Sequence, residues 1–403
     1  MMTSRRVASL MTGMLLAGAC ATAQPGVDAP FDGRGSEFYS WTEAVPAVPG
    51  EMLRKEPLAE ALSIPGAARA ERILYSSTDG IDGQTRVIVS GALFYPKGDM
   101  PEGGWPVIAW GHGTKGIADI CAPSWAGMTY RDRTYLAKWL SEGFAVVASD
   151  YEGLGTAGLH PYIAGRAAGY SILDSARAVT RNAPELSNKV LLVGQSQGGG
   201  AVAIAAAHAS AYAPDLNVIG VVATGAGTID LERPDLLGDS EAKIDSTSAY
   251  ALYVVRALSL VDPKLKPEDM LTPKAMMVLP LADTRCVADL EYDMSIAELN
   301  WSTTLTPYGF QVIKQNISLL NQPATGYAAP VFMGTGANDI EVAPAFQDIL
   351  AQTICRAGVS VEHHVYEGED HSTAVNRSLR DSIPFVRKLM AGEAVENTCG
   401  SSE

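Results

Sequence analysis

The sequence predicts an α/β protein: a doubly wound, mostly parallel sheet with an inserted helical lid or cap. Three observations predict it. Short apolar runs alternate with helical patterns from Pro106 onward. The run Val190-Leu-Leu-Val193 passes through Gly194-Gln-Ser-Gln-Gly198 straight into a Gly- and Ala-rich helical pattern. The stretch from Ile229 to Ala328 is rich in apolar residues yet offers helical patterns and no clear strand, so it must be a folded insertion and not a loop.

In chain order, the N-terminus reads as an export signal over residues 1–23: Arg5-Arg6, the apolar run Val7 to Ala19, then small residues. The run is too short to span a membrane as a mature helix. Two processing routes are open: cleavage after Ala21-Thr-Ala23, or lipidation at Cys20, because Leu16-Ala-Gly-Ala-Cys20 resembles a lipoprotein box with its leucine one place too far back. Either route exports the protein, to the periplasm or medium in the first case and to an outer-membrane anchor in the second. Residues 24–70, rich in Pro, Gly and Ala, read as an extended arm wrapping a domain.

A first core part, 71–228, opens with two strand-like runs, Glu71 to Thr78 and Thr85 to Pro96, which flank Asp79-Gly-Ile-Asp-Gly83 and predict an antiparallel hairpin. Strands follow at Pro106 to Trp110, Ala145 to Ser149, Val190 to Val193 and Val218 to Thr224, with helices at Tyr130 to Leu140 and Ser171 to Thr180. The insertion, 229–328, carries helical patterns at Ser248 to Leu260 and Val312 to Leu320. A second core part, 329–403, holds strands at Val331 to Thr335 and Val361 to Tyr366, a helix at Pro344 to Arg356, and one closing helix from about Thr373 to Met390. These eight strands should place any ligand at their carboxyl ends. An insertion after the sixth strand emerges on that face, so it reads as a cap over the strand ends in preference to an accessory subdomain.

Composition narrows the function. The chain has 403 residues, 47 % of them hydrophobic and 19 % charged, which is long enough for a large core. A formal charge of -15 repels phosphate backbones, so nucleic acid is excluded as a partner and a neutral or cationic small molecule is favoured. Gly153-Leu-Gly-Thr-Ala-Gly158 matches a dinucleotide fingerprint, but Leu159-His-Pro161 follows where a helix would have to start, so it reads as a Gly-rich loop. Beyond Cys20 lie Cys121, Cys286, Cys355 and Cys399, with no C-x-x-C and no His/Cys cluster of zinc spacing. Disulfides are expected and no metal is indicated.

The chemistry-bearing stretch is Gly194-Gln-Ser-Gln-Gly198. A serine on a tight strand-to-helix turn needs glycines two residues either side, since side chains there would collide, and its hydroxyl then stands clear at the sheet's edge. Ser196 is the candidate nucleophile. Such a hydroxyl needs an imidazole to take its proton and a carboxylate to hold the imidazole's tautomer. Of the six histidines, His208 points away within the elbow helix, and His363 and His364 lie inside a strand. His160 precedes Pro161 in a loop and could line the site, while His112 reads as a structural imidazole holding Gly111-His-Gly-Thr114. His371, after the last strand, is the candidate base. Asp339, just past the seventh strand, is the candidate acid, with Asp370 as rival. Gln197 and Thr114 are the expected oxyanion donors through their backbone N–H groups.

Pro49-Gly-Glu-Met-Leu-Arg54, His112-Gly-Thr, Asp150-Tyr-Glu-Gly-Leu-Gly155, Gly194-Gln-Ser-Gln-Gly-Gly199, Gly336-Ala-Asn-Asp339 and Gly368-Glu-Asp-His371 together resemble the secretory lipase family of α/β-hydrolases, the yeast lipase A-like group. The order Ser196, Asp339, His371 is the order of that fold. The resemblance implies hydrolysis of carboxylic esters or lipids through an acyl-enzyme, a helical lid where the insertion lies, and no metal or organic cofactor. Acyl transfer or peptide cleavage on the same residues, or a non-catalytic binding protein, are the alternatives. The resemblance and the placement of the cysteines both favour Cys121–Cys286 and Cys355–Cys399 over the other two connectivities.

Overall fold

A computed structural model describes residues 36–162, 164–227, 244–316, 318, 326–327 and 329–400. The export signal, both processing sites and Cys20 lie outside these, as does part of the insertion.

The strands are β1 (Met52–Pro57), β2 (Arg69–Thr78), β3 (Arg86–Tyr95), β4 (Trp105–Gly111), β5 (Ala145–Ser149), β6 (Leu186–Gln195), β7 (Asn217–Thr224), β8 (Val331–Gly336) and β9 (Val361–Tyr366). They form one nine-stranded sheet in the order β1-β2-β3-β5-β4-β6-β7-β8-β9. The pairs β1/β2, β2/β3 and β3/β5 are antiparallel, and every pair from β5/β4 to β8/β9 is parallel.

The central strands are apolar throughout because both faces are covered. Alternate residues go to opposite layers. The described α-helices before β7 are α1 (Pro123–Ala126), α2 (Tyr130–Ser141), α3 (Gly165–Asn182) and α4 (Gln197–Tyr212). Val107 and Ala109 of β4, Val147 of β5, and Val190 and Leu192 of β6 join one cluster with Ile172 and Leu173 of α3 and Val202 and Ala205 of α4. Ile108, Trp110, Val146, Leu191 and Val193 point the other way, onto Leu136 and Trp139 of a helix at Tyr130–Ser141 and Phe385 of one at Leu379–Ala391. Each fully buried Val, Leu, Ile or Phe side chain among these contributes about 1.5–3 kcal/mol.

Two expectations need correction. The arm contains a ninth strand, β1, on the sheet edge. Its Arg54-Lys-Glu-Pro57 segment is charged, only partly buried and bulged between Met52 and Arg54, so no apolar period marks it. The closing helix is two helices, Thr373–Arg377 and Leu379–Ala391, broken at Ser378, whose hydroxyl donates back to the Val375 carbonyl at 2.7 Å.

Between β7 and β8, helices at Ala249–Val261, Pro267–Met270, Pro273–Ala282, Val287–Ile296, Trp301–Thr304 and Pro307–Gln315 surround a cluster of their own, including Leu252, Tyr253, Met270, Leu279, Leu290 and Met294. Ile117, from the loop after β4, completes it. A disulfide joins Cys121 to Cys286 with the Cα atoms 5.4 Å apart, and Val287 N–H donates to the Lys115 carbonyl at 2.8 Å, so this segment is fastened to the same loop. A second disulfide joins Cys355 and Cys399. Among the described residues no helix is long and apolar enough to cross a membrane, and no group of three or more His, Cys, Asp or Glu could hold a metal ion.

Candidate active site

Ser196 caps α4 immediately after β6, with φ 57° and ψ -122°, a left-handed backbone that few non-glycine residues adopt. The turn is held by main chain: Ser196 N–H donates to the Thr224 carbonyl at 2.9 Å. It tolerates no side chain at its flanks. A Cβ on Gly198 would stand 2.0 Å from the Gly111 oxygen, and one on Gly194 would stand 2.2 Å from the Gly198 oxygen. These contacts seat α4 directly on β4 and point its first turn, whose N–H groups have no partner within the helix, toward the strand ends.

Asp339 and His371 leave the ends of β8 and β9 and meet. His371 Nδ1 lies 2.7 Å from Asp339 Oδ2, and both side chains are buried. Asp339 is itself fixed: its Oδ1 accepts from the N–H groups of Glu341 (2.9 Å) and Val342 (2.8 Å), and its Oδ2 from Gln347 Nε2 (2.9 Å). The imidazole packs on bare backbone after β7, where a Cβ on Gly225 would come within 2.8 Å of His371 Cε1. Asp370, the rival acid, instead accepts from the N–H groups of Ser372 and Thr373 and from the Thr373 hydroxyl, capping the next helix.

The loop after β4 runs beside the serine, since a Cβ on Gly113 would be 3.4 Å from Ser196 Cβ. The Thr114 hydroxyl is paired with Tyr162 OH at 2.7 Å, and Tyr162 lies edge-on to Tyr253 of the helical segment. His112 Nδ1 and Nε2 face the carbonyl oxygens of Gly113 (2.7 Å) and Asp150 (3.2 Å), and the ring stacks on Tyr151. Burial pushes its pKa down to about 4, so at neutral pH it is an uncharged loop support.

Residues 124–397, more than half of the chain, match the family described as secretory lipase. The chain belongs to the secretory lipase family. It is therefore a carboxylic ester hydrolase. This secretory lipase is 27 % identical over 381 residues to a secreted triacylglycerol lipase of Malassezia globosa, covering 88 % of this chain and 78 % of that one. It is 28 % identical over 306 residues to a secreted triacylglycerol lipase of Malassezia furfur, covering 69 % and 60 %. Its fold is similar to that of Candida antarctica lipase A in its closed state, with a TM-score of 0.72 at 22 % identity over 94 % of this chain and 90 % of that one.

Sequence reasoning gave no role to Gln195, Arg131, Glu341 and Tyr250, which gather around this lipase's site, and read His160 only as a loop histidine that could line it. Gln195, one before the serine, places its Nε2 3.0 Å from His371 Nε2, and Arg131 donates to Gln195 Oε1 at 2.7 Å. Glu341 Oε2 lies 3.8 Å from His371 Nε2 and accepts from Tyr250 OH at 3.2 Å. His160 holds the Gln197 side chain, with the two Nε2 atoms 2.9 Å apart, while its Nδ1 lies 2.7 Å from the Glu152 carbonyl oxygen. Burial lowers the His160 pKa to about 4, so the ring is neutral, donates from Nδ1 and accepts at Nε2. A histidine before a proline was the only signal available for it. The others are through-space pairings between distant segments.

The Glu152 carboxyl is buried beneath the Gly80 N–H, which donates to it at 3.0 Å. Burial raises its pKa from 4.5 to about 8. Between those values the native state keeps a proton that the unfolded chain loses, so this group's contribution is full below about pH 4.5 and is lost as pH rises through about 8. Glu152→Gln should leave Tm near that of the wild type at pH 5 and exceed it at pH 9. Thermal melts across that range check this. A constant difference at all pH values would refute the titration.

Proposed function

We propose that this lipase is an exported esterase acting on neutral lipid esters, with Ser196 as nucleophile, His371 as general base, Asp339 as its carboxylate partner, and the backbone N–H groups of Gln197 and Thr114 as oxyanion donors. The observation that carries the reading is the 2.7 Å contact between His371 Nδ1 and Asp339 Oδ2, at strand ends that flank the elbow bearing Ser196. In the proposed reaction His371 Nε2 takes the Ser196 proton as Oγ attacks the ester carbonyl. The tetrahedral oxyanion is held at the start of α4, the proton passes to the leaving alcohol, and water resolves the acyl-enzyme by the same steps. Asp339 keeps the imidazole proton on Nδ1 throughout.

The relatives named above are secreted triacylglycerol lipases, which supports export and a lipid ester as substrate. Residues 229–328 are proposed as the lid: the helical segment within them has its own apolar cluster and is anchored to the β4 loop. Lipidation at Cys20 remains the alternative to cleavage after Ala23, and a mass measurement of the exported protein's N-terminus separates them. Hydrolysis of p-nitrophenyl esters from acetate to palmitate, alongside emulsified tributyrin and triolein, tests the function. The expected result is turnover of the ester ladder with activity on triglyceride. No hydrolysis of any of these by folded protein would refute the reading.

A further inference from the structure

Gln195 ends β6 with its side chain buried, 1 % exposed for the whole residue, and its carboxamide lies between two partners of fixed character. Arg131 Nη2 approaches Oε1 at 2.7 Å, and a guanidinium carries donors only. The oxygen end must therefore face Arg131, and the NH2 end faces His371 Nε2 at 3.0 Å. An amide nitrogen likewise donates only, so His371 Nε2 must accept and the ring's single proton must sit on Nδ1, toward Asp339. Arg131 is held in turn, with Nε 2.8 Å from Asp132 Oδ1 and Nη1 3.2 Å from Ser372 Oγ, beside His371 in the chain. Gly113 leaves the room this needs, because a Cβ there would stand 2.3 Å from Gln195 Oε1.

A donor at this point has a task. The imidazole lies between two carboxylates, Asp339 at 2.7 Å from Nδ1 and Glu341 at 3.8 Å from Nε2. Each draws a proton to its own side, and a proton on Nε2 removes the lone pair that a serine hydroxyl needs. We propose that Gln195, oriented by Arg131, is a positioning residue that keeps His371 in the Nδ1–H tautomer despite Glu341, and releases Nε2 when the Ser196 proton is transferred. The release is required by the same chemistry: once Nε2 is protonated it faces the amide as donor against donor, so the carboxamide must swing aside. This rests on the assignment of His371 as base, and the test keeps the two apart.

The test reads tautomer and turnover separately. In 15N-histidine-labelled Ser196→Ala protein, which needs no activity, His371 should show an unprotonated Nε2 and a protonated Nδ1. In Ser196→Ala/Gln195→Glu, where a carboxylate still meets Arg131 but offers an acceptor to the ring, Nε2 should become protonated. In the Ser196 enzyme, Gln195→Glu should lower kcat by at least about 100-fold with KM little changed, since a wrong tautomer costs up to ~10^4-fold in rate. Gln195→Met, which offers no donor, should lose roughly 3- to 10-fold in kcat, the weight of one neutral hydrogen bond. Adding Glu341→Gln to Gln195→Met should recover most of that loss, a rescue that a merely structural role would not give. A protonated Nε2 in Ser196→Ala, or wild-type kcat in a folded Gln195→Glu enzyme, overturns the proposal. Activity retained by Ser196→Ala with the tautomer as stated would instead overturn the nucleophile assignment and leave the role of Gln195 standing.

Discussion

Ser196→Ala is expected to fold as the parent does and to lose ester hydrolysis by on the order of 10^5- to 10^6-fold. The fold should survive because the turn is held by the Ser196 N–H to Thr224 and by the glycine contacts at 194 and 198, none of which uses the hydroxyl. Among the described residues that hydroxyl makes no hydrogen bond to His371, whose Nε2 is taken by Gln195. Activity should fall because, among the described residues, no other serine has such a positive-φ backbone. His371→Ala should cost nearly as much, and the Ser196→Ala/His371→Ala double variant little more, since these groups act as a unit. Asp339→Asn should lose about 10^4-fold, because an amide nitrogen facing Nδ1 would stabilise the opposite tautomer. Burst titration with a fluorophosphonate alongside circular dichroism separates chemistry from folding. A folded Ser196→Ala protein with more than a few per cent of parental turnover, or an Asp370→Asn variant more damaged than Asp339→Asn, would remove these assignments.

The largest effect on stability is expected from the bridge between Cys121 and Cys286. It closes a loop with a sequence separation of 165, and the chain-entropy account assigns such a loop on the order of 5 kcal/mol. Replacing both cysteines by alanine, which leaves no new polar group at the fully buried Cys121 position, should therefore lower the unfolding midpoint sharply. Function should change too. With the bridge gone, the helical segment keeps the Val287 to Lys115 hydrogen bond and the contact of Ile117 with its cluster, both weaker than a covalent tie. If that segment is the lid, longer acyl chains should gain relative to short ones. Denaturant melts and the ester ladder measure the two effects. An unchanged midpoint in the double alanine variant would show that the bridge does not constrain the chain as described.

The sheet was largely legible because its strands are buried on both faces, and a run such as Ala145-Val-Val-Ala-Ser149 between turn residues has few other uses. β1 was not, because an edge strand with Arg54, Lys55 and Glu56 carries no pattern until its partner β2 is known. In the site, residues placed just beyond strand ends could be read as neighbours, and Asp339 with His371 are such a pair. Gln195 could not be read that way. A carboxamide has a donor end and an acceptor end, and which end meets the imidazole is fixed by Arg131, from a helix 64 positions earlier in the chain. Nor could Glu341, since its 3.8 Å approach to His371 depends on the course of a loop with no sequence signature.

Each of the two native bridges joins a cysteine to the next one in the chain, Cys121 to Cys286 and Cys355 to Cys399. The covalent loops therefore neither nest nor interlock. A thiol oxidant that acts on cysteines in the order they reach an exporting compartment would arrive at this pattern without any later reshuffling. The one residue able to spoil that order is Cys20, which precedes all four and would present Cys121 with a partner before Cys286 has emerged. The proposed cleavage after Ala23 would discard its thiol, and lipidation would consume it. If the leader is processed by either of the routes proposed above, its maturation would also clear the path for the first correct crosslink.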